Sequence, residues 1–199
     1  MSIPAPSAPS TFSAPRVAFQ GERGAFSEDA VAVLWPHAVP LPLATFSDVT
    51  MAVATGQADA GILPVENSIF GKVDAALDAI TAATDLQVVG ETTLSIHQCL
   101  VGSAGATLEA VEVVESHHVA LAQCARFLSR LPNARTRAVE DTAGAARAVA
   151  ESRDCRRAAV ASARAAGIYG LVILAHDIED RSDNHTRFLA IARKPGPTS

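Results

Sequence analysis

Four short segments carry the side chains with the means to do chemistry. In GILPVENSIFGKV, Glu66, Asn67 and Ser68 follow an apolar run. Burial would raise the pKa of the carboxylate, the amide both donates and accepts, and Gly71 allows close backbone approach before a helix. In VVESHHVALAQC, Ser116 stands at the expected start of a helix, with Gln123 seven residues on. Seven steps of about 100° return to nearly the same helix face, so both side chains can meet one ligand, and the free amides at a helix start suit a carboxylate. In EDRSDNHTRFLAI, Thr186 brings a hydroxyl donor, Arg187 a planar carboxylate binder and Phe188 an apolar wall. In FQGERGAFSEDAV, Gly21 and Gly24 lie between a strand and a helix, but Arg23 stands where a dinucleotide loop needs its second glycine, and the Gly-Lys-Ser/Thr of a phosphate loop is missing. Nucleotide binding is rejected there, and Ser27 is read as a cap that also faces a ligand.

Each segment has a plainer alternative. Glu66 to Ser68 can be a polar turn, Ser116 a simple cap with Gln123 on the surface, and the Thr-Arg pair the start of an edge strand. His117 and His118 project in different directions and lack metal-ligand spacing. Asp177, Glu179, Asp180 and Asp183 match no EF-hand, so no metal is expected.

The elements that must position these residues alternate. Short apolar runs at 17–19, 60–65, 86–89, 112–114, 137–139, 158–161 and 188–192 read as buried strands. Helical periodicity starts near Ser27, Asp48, Val73, Val119, Ala143 and Arg164, several times after a Ser, Asp or Thr able to cap exposed amides. This pattern predicts an α/β fold with helices on the faces of a largely parallel sheet. In such sheets ligands bind beyond the carboxyl ends of the strands, where Glu66 to Ser68 lie. LVGSAGAT, at 100–107, reads as a Gly/Ser loop leading toward a second lobe.

Composition narrows the partners. The chain has 199 residues, 49% of them apolar, enough to bury roughly 70% of its unfolded surface. A formal charge of -5 argues against nucleic acid and against a polybasic membrane anchor. Only Lys72 and Lys194 are lysines, so an anionic ligand must be met by local groups. Cys99, Cys124 and Cys155 lack the close spacing of zinc ligands and read as free thiols in a reducing cytoplasm. No apolar run reaches the roughly 18 residues of a membrane span. Residues 1–15 hold four of the eleven prolines and read as a disordered tail, not a signal peptide.

Taken in order, GERGAFSEDA, LPVENSIFGKV, ESHHVALAQC and the Thr-Arg-Phe of NHTRF resemble prephenate dehydratase and its arogenate dehydratase relatives, from about Val17 to Ile191. Gly90 and Glu91 with His97, Asp141-Thr142-Ala143, and AAVASARAAGIYGL before IED add to the likeness. Two positions depart from it. His118 and Val119 replace a Pro and a frequent Gln after Ser-His, and Ala25 replaces a commoner Thr or Ser.

The resemblance implies a two-lobed α/β fold like type II periplasmic binding proteins, with the active site in the interlobe cleft. A tail at 1–15 precedes a catalytic domain at 16–193, in which lobe I is about 16–94 plus 176–193 and lobe II about 95–175; residues 194–199 form a C-terminal tail. It implies decarboxylating dehydration of prephenate to phenylpyruvate, carbon dioxide and water for phenylalanine synthesis, with no cofactor, no metal, a cytoplasmic location and a homodimer. Thr186 matches the catalytic threonine. Asn67, Ser116 and Gln123 match substrate-binding positions, and Glu66, Ser68, Thr142, Arg187, Phe188 and Ser27 are further site members. The expected roles are Thr186 hydrogen-bonding the leaving hydroxyl, Glu66 as a protonated acid in a dry cleft, Arg187 and the amides near Ser116 receiving carboxylates, and Phe188 excluding water. Eleven residues follow Phe188, so a catalytic unit without an ACT-type phenylalanine site is expected. Arogenate dehydratase and a non-catalytic aromatic-acid-binding module of the same fold are the alternatives.

Overall fold

The computed structural model describes residues 14–195. Residues 1–13 and 196–199 of the expected tails lie outside the described residues. At the described margins the chain is tied to neighbouring backbone: the Pro15 carbonyl accepts from Val39 N, and Lys194 N donates to Asp85 O.

The first sheet is built from β1 (Arg16–Gln20), α1 (Phe26–Leu34), β2 (Val39–Leu43), α2 (Phe46–Ala54), β3 (Ala60–Asn67), β4 (Gly71–Lys72), α3 (Asp74–Ala82) and β5 (Leu86–Ser95). The second follows with β6 (Cys99–Gly102), β7 (Val113–His117), α4 (His118–Gln123), α5 (Ala125–Leu128), β8 (Arg135–Val139), α6 (Thr142–Ser152), β9 (Arg157–Ala161), α7 (Ala163–Tyr169) and β10 (Val172–Ala175). The chain then returns to the first sheet as β11 (His185–Arg193).

Strand order is β2-β1-β3-β11-β5 in the first sheet, with β4 on the end of β3, and β10-β6-β9-β7-β8 in the second. The two orders are equivalent. Each sheet has three parallel strands, then one antiparallel strand that arrives from the other lobe, β11 in the first and β6 in the second, then an outer antiparallel strand. The sheets are therefore mixed, not largely parallel. The arriving strand forces the antiparallel pairing, because a chain crossing between lobes enters each sheet from the opposite end.

Burial on both faces explains the unbroken apolar runs. Val17 and Phe19 pack with Ala30 and Val31 of α1, whereas the intervening Ala18 packs with Val49 and Val53 of α2. The second sheet is likewise sandwiched, with Leu100, Val114 and Val160 on one face and Val101, Ala159 and Ala161 on the other. α2 opens with a capping box between Thr45 and Asp48, so the expected start near Asp48 is its third position.

Four strands escaped the sequence pattern, among them β4, which is only two residues long. β2 is VPLPL on the sheet edge, where two missing N–H groups are tolerated. β6 runs into the segment read as a Gly/Ser loop, yet all four of its residues are buried. β10 is a four-residue outer strand inside the apolar run that ends at Ala175.

Two crossovers, between β5 and β6 and between β10 and β11, join the lobes. There His97 Nδ1 stands 3.0 Å from Asp177 Oδ1 and 3.1 Å from Glu179 Oε1, linking one crossover to the other. A second set of contacts clasps the lobes at the loop after β1. Glu22 receives Arg147 Nε at 2.6 Å and Nη2 at 2.9 Å, Asp29 pairs with Arg164, Tyr169 donates to the Arg23 carbonyl, and Ser162 donates to the Gly24 carbonyl. Gly24 is required in this loop: its φ is +90°, and a Cβ would lie 2.7 Å from Ala165 Cα of α7.

Candidate active site

Between the lobes lies a cavity of about 620 Å³. Its apolar walls are Phe26, Phe46, Phe70, Phe188 and Ile96. Its polar lining comes from lobe I through Ser27, Asn67, Lys72 and Thr186, and from lobe II through His117, Gln123, Glu140, Asp141 and Thr142, with Gln98 at the start of the crossing.

Side chains alternate along a strand, so only every second residue of β11 can face the cavity. Thr186 and Phe188 do, each almost fully buried, and Arg187 between them does not. On β3 the pairing shifts: Thr186 is opposite Asn67 and Arg187 opposite Glu66, but Phe188 is opposite Pro64. This β-bulge brings both Pro64 and Asn67 to the cavity despite their odd spacing. Pro64, having no N–H to pair, suits a break in the ladder.

Asn67 is the organising residue. Its Oδ1 accepts from Ile69 N at 3.0 Å and Phe70 N at 3.1 Å, folding the turn after β3. Its Nδ2 donates to Thr186 Oγ1 at 3.0 Å and to Asn184 Oδ1 at 2.9 Å. Because the Thr186 oxygen accepts there, its own hydrogen is left to be donated to a bound molecule.

Several expected placements change. Glu66 does not line the cavity: its side chain is 48% exposed and takes Arg187 Nη2 at 3.2 Å. That is not the dry environment expected for it. Arg187 lies on the same outward face, shared between Glu66 and Glu91, and is not among the residues facing the cleft. Ser68 is exposed and holds the next loop, donating to the Asp183 carbonyl and accepting from His185 N.

Ser116 is fully buried within β7 and donates to the Val160 carbonyl at 2.7 Å. The strand continues one residue past it, so His117 caps α4, and the common helical face with Gln123 is not formed. Ser27 is not a cap either. α1 is capped by Ala25 without a side-chain bond, and the Ser27 hydroxyl in the first turn faces the cavity. Asn67, Gln123, Thr142, Phe188, Ser27 and Thr186 therefore converge, while Glu66, Ser68, Ser116 and Arg187 do not.

Lobe II supplies residues that spacing did not reveal. Gln98 is buried and donates to Gln123 Oε1 at 3.3 Å, fixing that amide. Asp141 caps α6 by accepting from Gly144 N at 2.6 Å, which sets Thr142 at the helix start. His117 accepts from Val119 N through Nδ1. Burial first and the neighbouring His118 second hold its pKa below the usual histidine value, so it is uncharged at neutral pH. Burial pushes the Cys124 thiol up to about 12, leaving it protonated and inert.

Fold and cavity together define a two-lobed, mixed α/β protein with a partly aromatic cavity between its lobes. Residues 17–196 match the family described as prephenate dehydratase, and the chain belongs to that family. Arogenate dehydratase/prephenate dehydratase 2, chloroplastic, of Arabidopsis thaliana is 43% identical over 180 residues, covering 90% of this chain and 47% of the relative. The chain thus spans about half the length of the curated relatives it matches. Among solved structures, prephenate dehydratase from Arthrobacter aurescens in complex with L-Phe is 31% identical, with a TM-score of 0.83 over 92% of this chain and 62% of that one. GqqA, described as a novel type of quorum quenching acylase, is 36% identical, with a TM-score of 0.84 over 92% of this chain and 66% of that one. No helix among the described residues is long and apolar enough to cross a membrane.

Proposed function

We propose that the chain converts prephenate to phenylpyruvate, carbon dioxide and water. In this reaction the bond between the ring and its carboxylate breaks, and its electron pair enters the ring. The bond to the ring hydroxyl breaks in turn, and the departing oxygen takes up one proton. Aromatisation drives the step, so the protein's task is to hold the ring and stabilise the leaving oxygen.

The observation that carries this reading is the Asn67–Thr186 pair at the wall of a partly aromatic cleft. With its oxygen already accepting, the Thr186 hydroxyl donates to the leaving oxygen. An alcohol is too weak an acid to serve as the sole proton source, so Thr186 orients and stabilises while the net proton comes from solvent. A preorganised donor of this kind is worth about 10²–10³ in rate. Gln123, Thr142 and Ser27 offer neutral hydrogen bonds to the substrate's oxygens, and Phe188 and Phe70 keep water from the ring face. Glu66 and Arg187 take no part in this scheme, because they lie on the outward side of the strands.

A second reading, arogenate as the substrate, is favoured by the double name of the Arabidopsis relative. Measuring kcat/KM for both compounds tests the proposal. Phenylpyruvate released from prephenate at a higher kcat/KM is the expected result; phenylalanine formed preferentially from arogenate replaces the substrate, and no turnover of either sinks the enzymatic reading in favour of a binding module. We further propose a cytoplasmic homodimer, the location supported by three free thiols. Light scattering at the mass of one chain would overturn the dimer.

A further inference from the structure

We infer that Lys72 is the charged anchor for a substrate carboxylate in the cleft, an inference that rests on reading the cavity as a dicarboxylate site. Among the described residues lining the cavity, Lys72 is the one formal cation besides the uncharged His117; Arg187, the cation expected there, is on the far side of β11. The lobe II lining adds Glu140 and Asp141, which repel an anion, and the Asp141 carboxylate is occupied in capping α6. Among the described residues that line the cavity, a substrate with two carboxylates therefore meets one lysine and no arginine.

The pairing of β3 with β4 makes the placement of Lys72 informative. Lys72 is directly opposite Glu66 in that ladder, on the same face and where an acid and a base would ordinarily pair, yet Lys72 borders the cavity and Glu66 does not. Arg187 takes the Glu66 carboxylate instead, and Lys72 forms no ion pair among the described residues. Its two-residue strand lies just beyond the turn that Asn67 organises, so the same turn positions the Thr186 partner and the ammonium. Lys72 is exposed, which suits a group that meets the substrate on entry and holds it by a flexible stem. It acts through binding and not at the reacting atoms, so its removal raises KM more than it lowers kcat.

The test compares wild type, Lys72→Met, Lys72→Arg and the control Lys194→Met in the full chain. Steady-state kinetics use whichever of prephenate and arogenate the wild type turns over, at low and high ionic strength. Calorimetric titration with phenylsuccinate, an unreactive aromatic dicarboxylate, gives a readout independent of turnover. The expected result is a rise of about 10-fold in KM and in the phenylsuccinate Kd for Lys72→Met at low salt, with kcat within about twofold. Lys72→Arg recovers most of the loss, the difference narrows as salt rises, and Lys194→Met matches wild type. Unchanged KM and Kd in Lys72→Met beside an active wild type would overturn the inference while leaving the dehydratase reading intact. An inactive wild type whose phenylsuccinate binding still weakens in Lys72→Met would leave the anchor standing and remove the dehydratase reading. Absence of both turnover and binding in wild type would remove both.

Discussion

The two faces of the β3–β11 strand pair differ by one step in sequence and by their whole surroundings in space. The inward face carries Pro64, Asn67, Thr186 and Phe188, none of them charged, against the cavity. The outward face carries Glu66 and Arg187, and Arg187 pairs both with Glu66 and with Glu91 of the neighbouring β5, the three side chains being between 40% and 64% exposed. The charged side chains stay in water, and the neutral Thr186 hydroxyl sits on the buried side, where a hydrogen bond counts for more. A reaction that expels a hydroxyl from a ring is served by an oriented donor in such a place, and an exposed ion pair adds little to it.

Substitutions on the two faces should therefore separate widely. Thr186→Ala removes the donor and should lower kcat by about 10²–10³ with little change in stability; retained turnover would erase the distinction between the faces. Asn67→Ala keeps the hydroxyl but frees its rotation and unties the turn through Ile69 and Phe70. It should cost about 10-fold or more in kcat and about 1 kcal/mol in folding, read by steady-state kinetics and urea unfolding. On the outward face, Arg187→Met should leave kcat within about twofold and change stability by no more than about 1 kcal/mol, since the ion pairs it loses are half exposed. A large kcat loss in Arg187→Met, with normal folding by circular dichroism, would mean that this face reaches the substrate.

The contrast also marks how far the residues themselves can be read. Apolar runs and helix starts are local signals, and the segments bearing Asn67 and Thr186 lie where the strand pattern puts them, at the cavity end of β3 and β11. The face of Glu66 and Arg187 follows by alternation once Asn67 and Thr186 point inward, but which of the adjacent residues points inward is set by the pairing of β3 with β11 and not by residue type. Ser116 failed for a related reason. The argument from helical phase needed the helix to begin there, but the strand runs on through His117. β6 was hidden because its short CLVG run leads straight into Ser103, Ala104 and Gly105, so that the whole segment looks like a loop. Lys72, Gln98, His117 and Glu140 left no periodic signal at all, since they meet only when two lobes with separate hydrophobic cores close on one cavity.

With the reacting groups on the inward face alone, as proposed, no carboxylate of the ENS segment serves as the acid. The kcat of Glu66→Gln against wild type across pH 5 to 9 tests it most directly. Superimposed profiles, within about twofold at every pH, are the expected result. Loss of an ionisation limb in Glu66→Gln, or a fall in kcat as deep as that of Thr186→Ala, would contradict it.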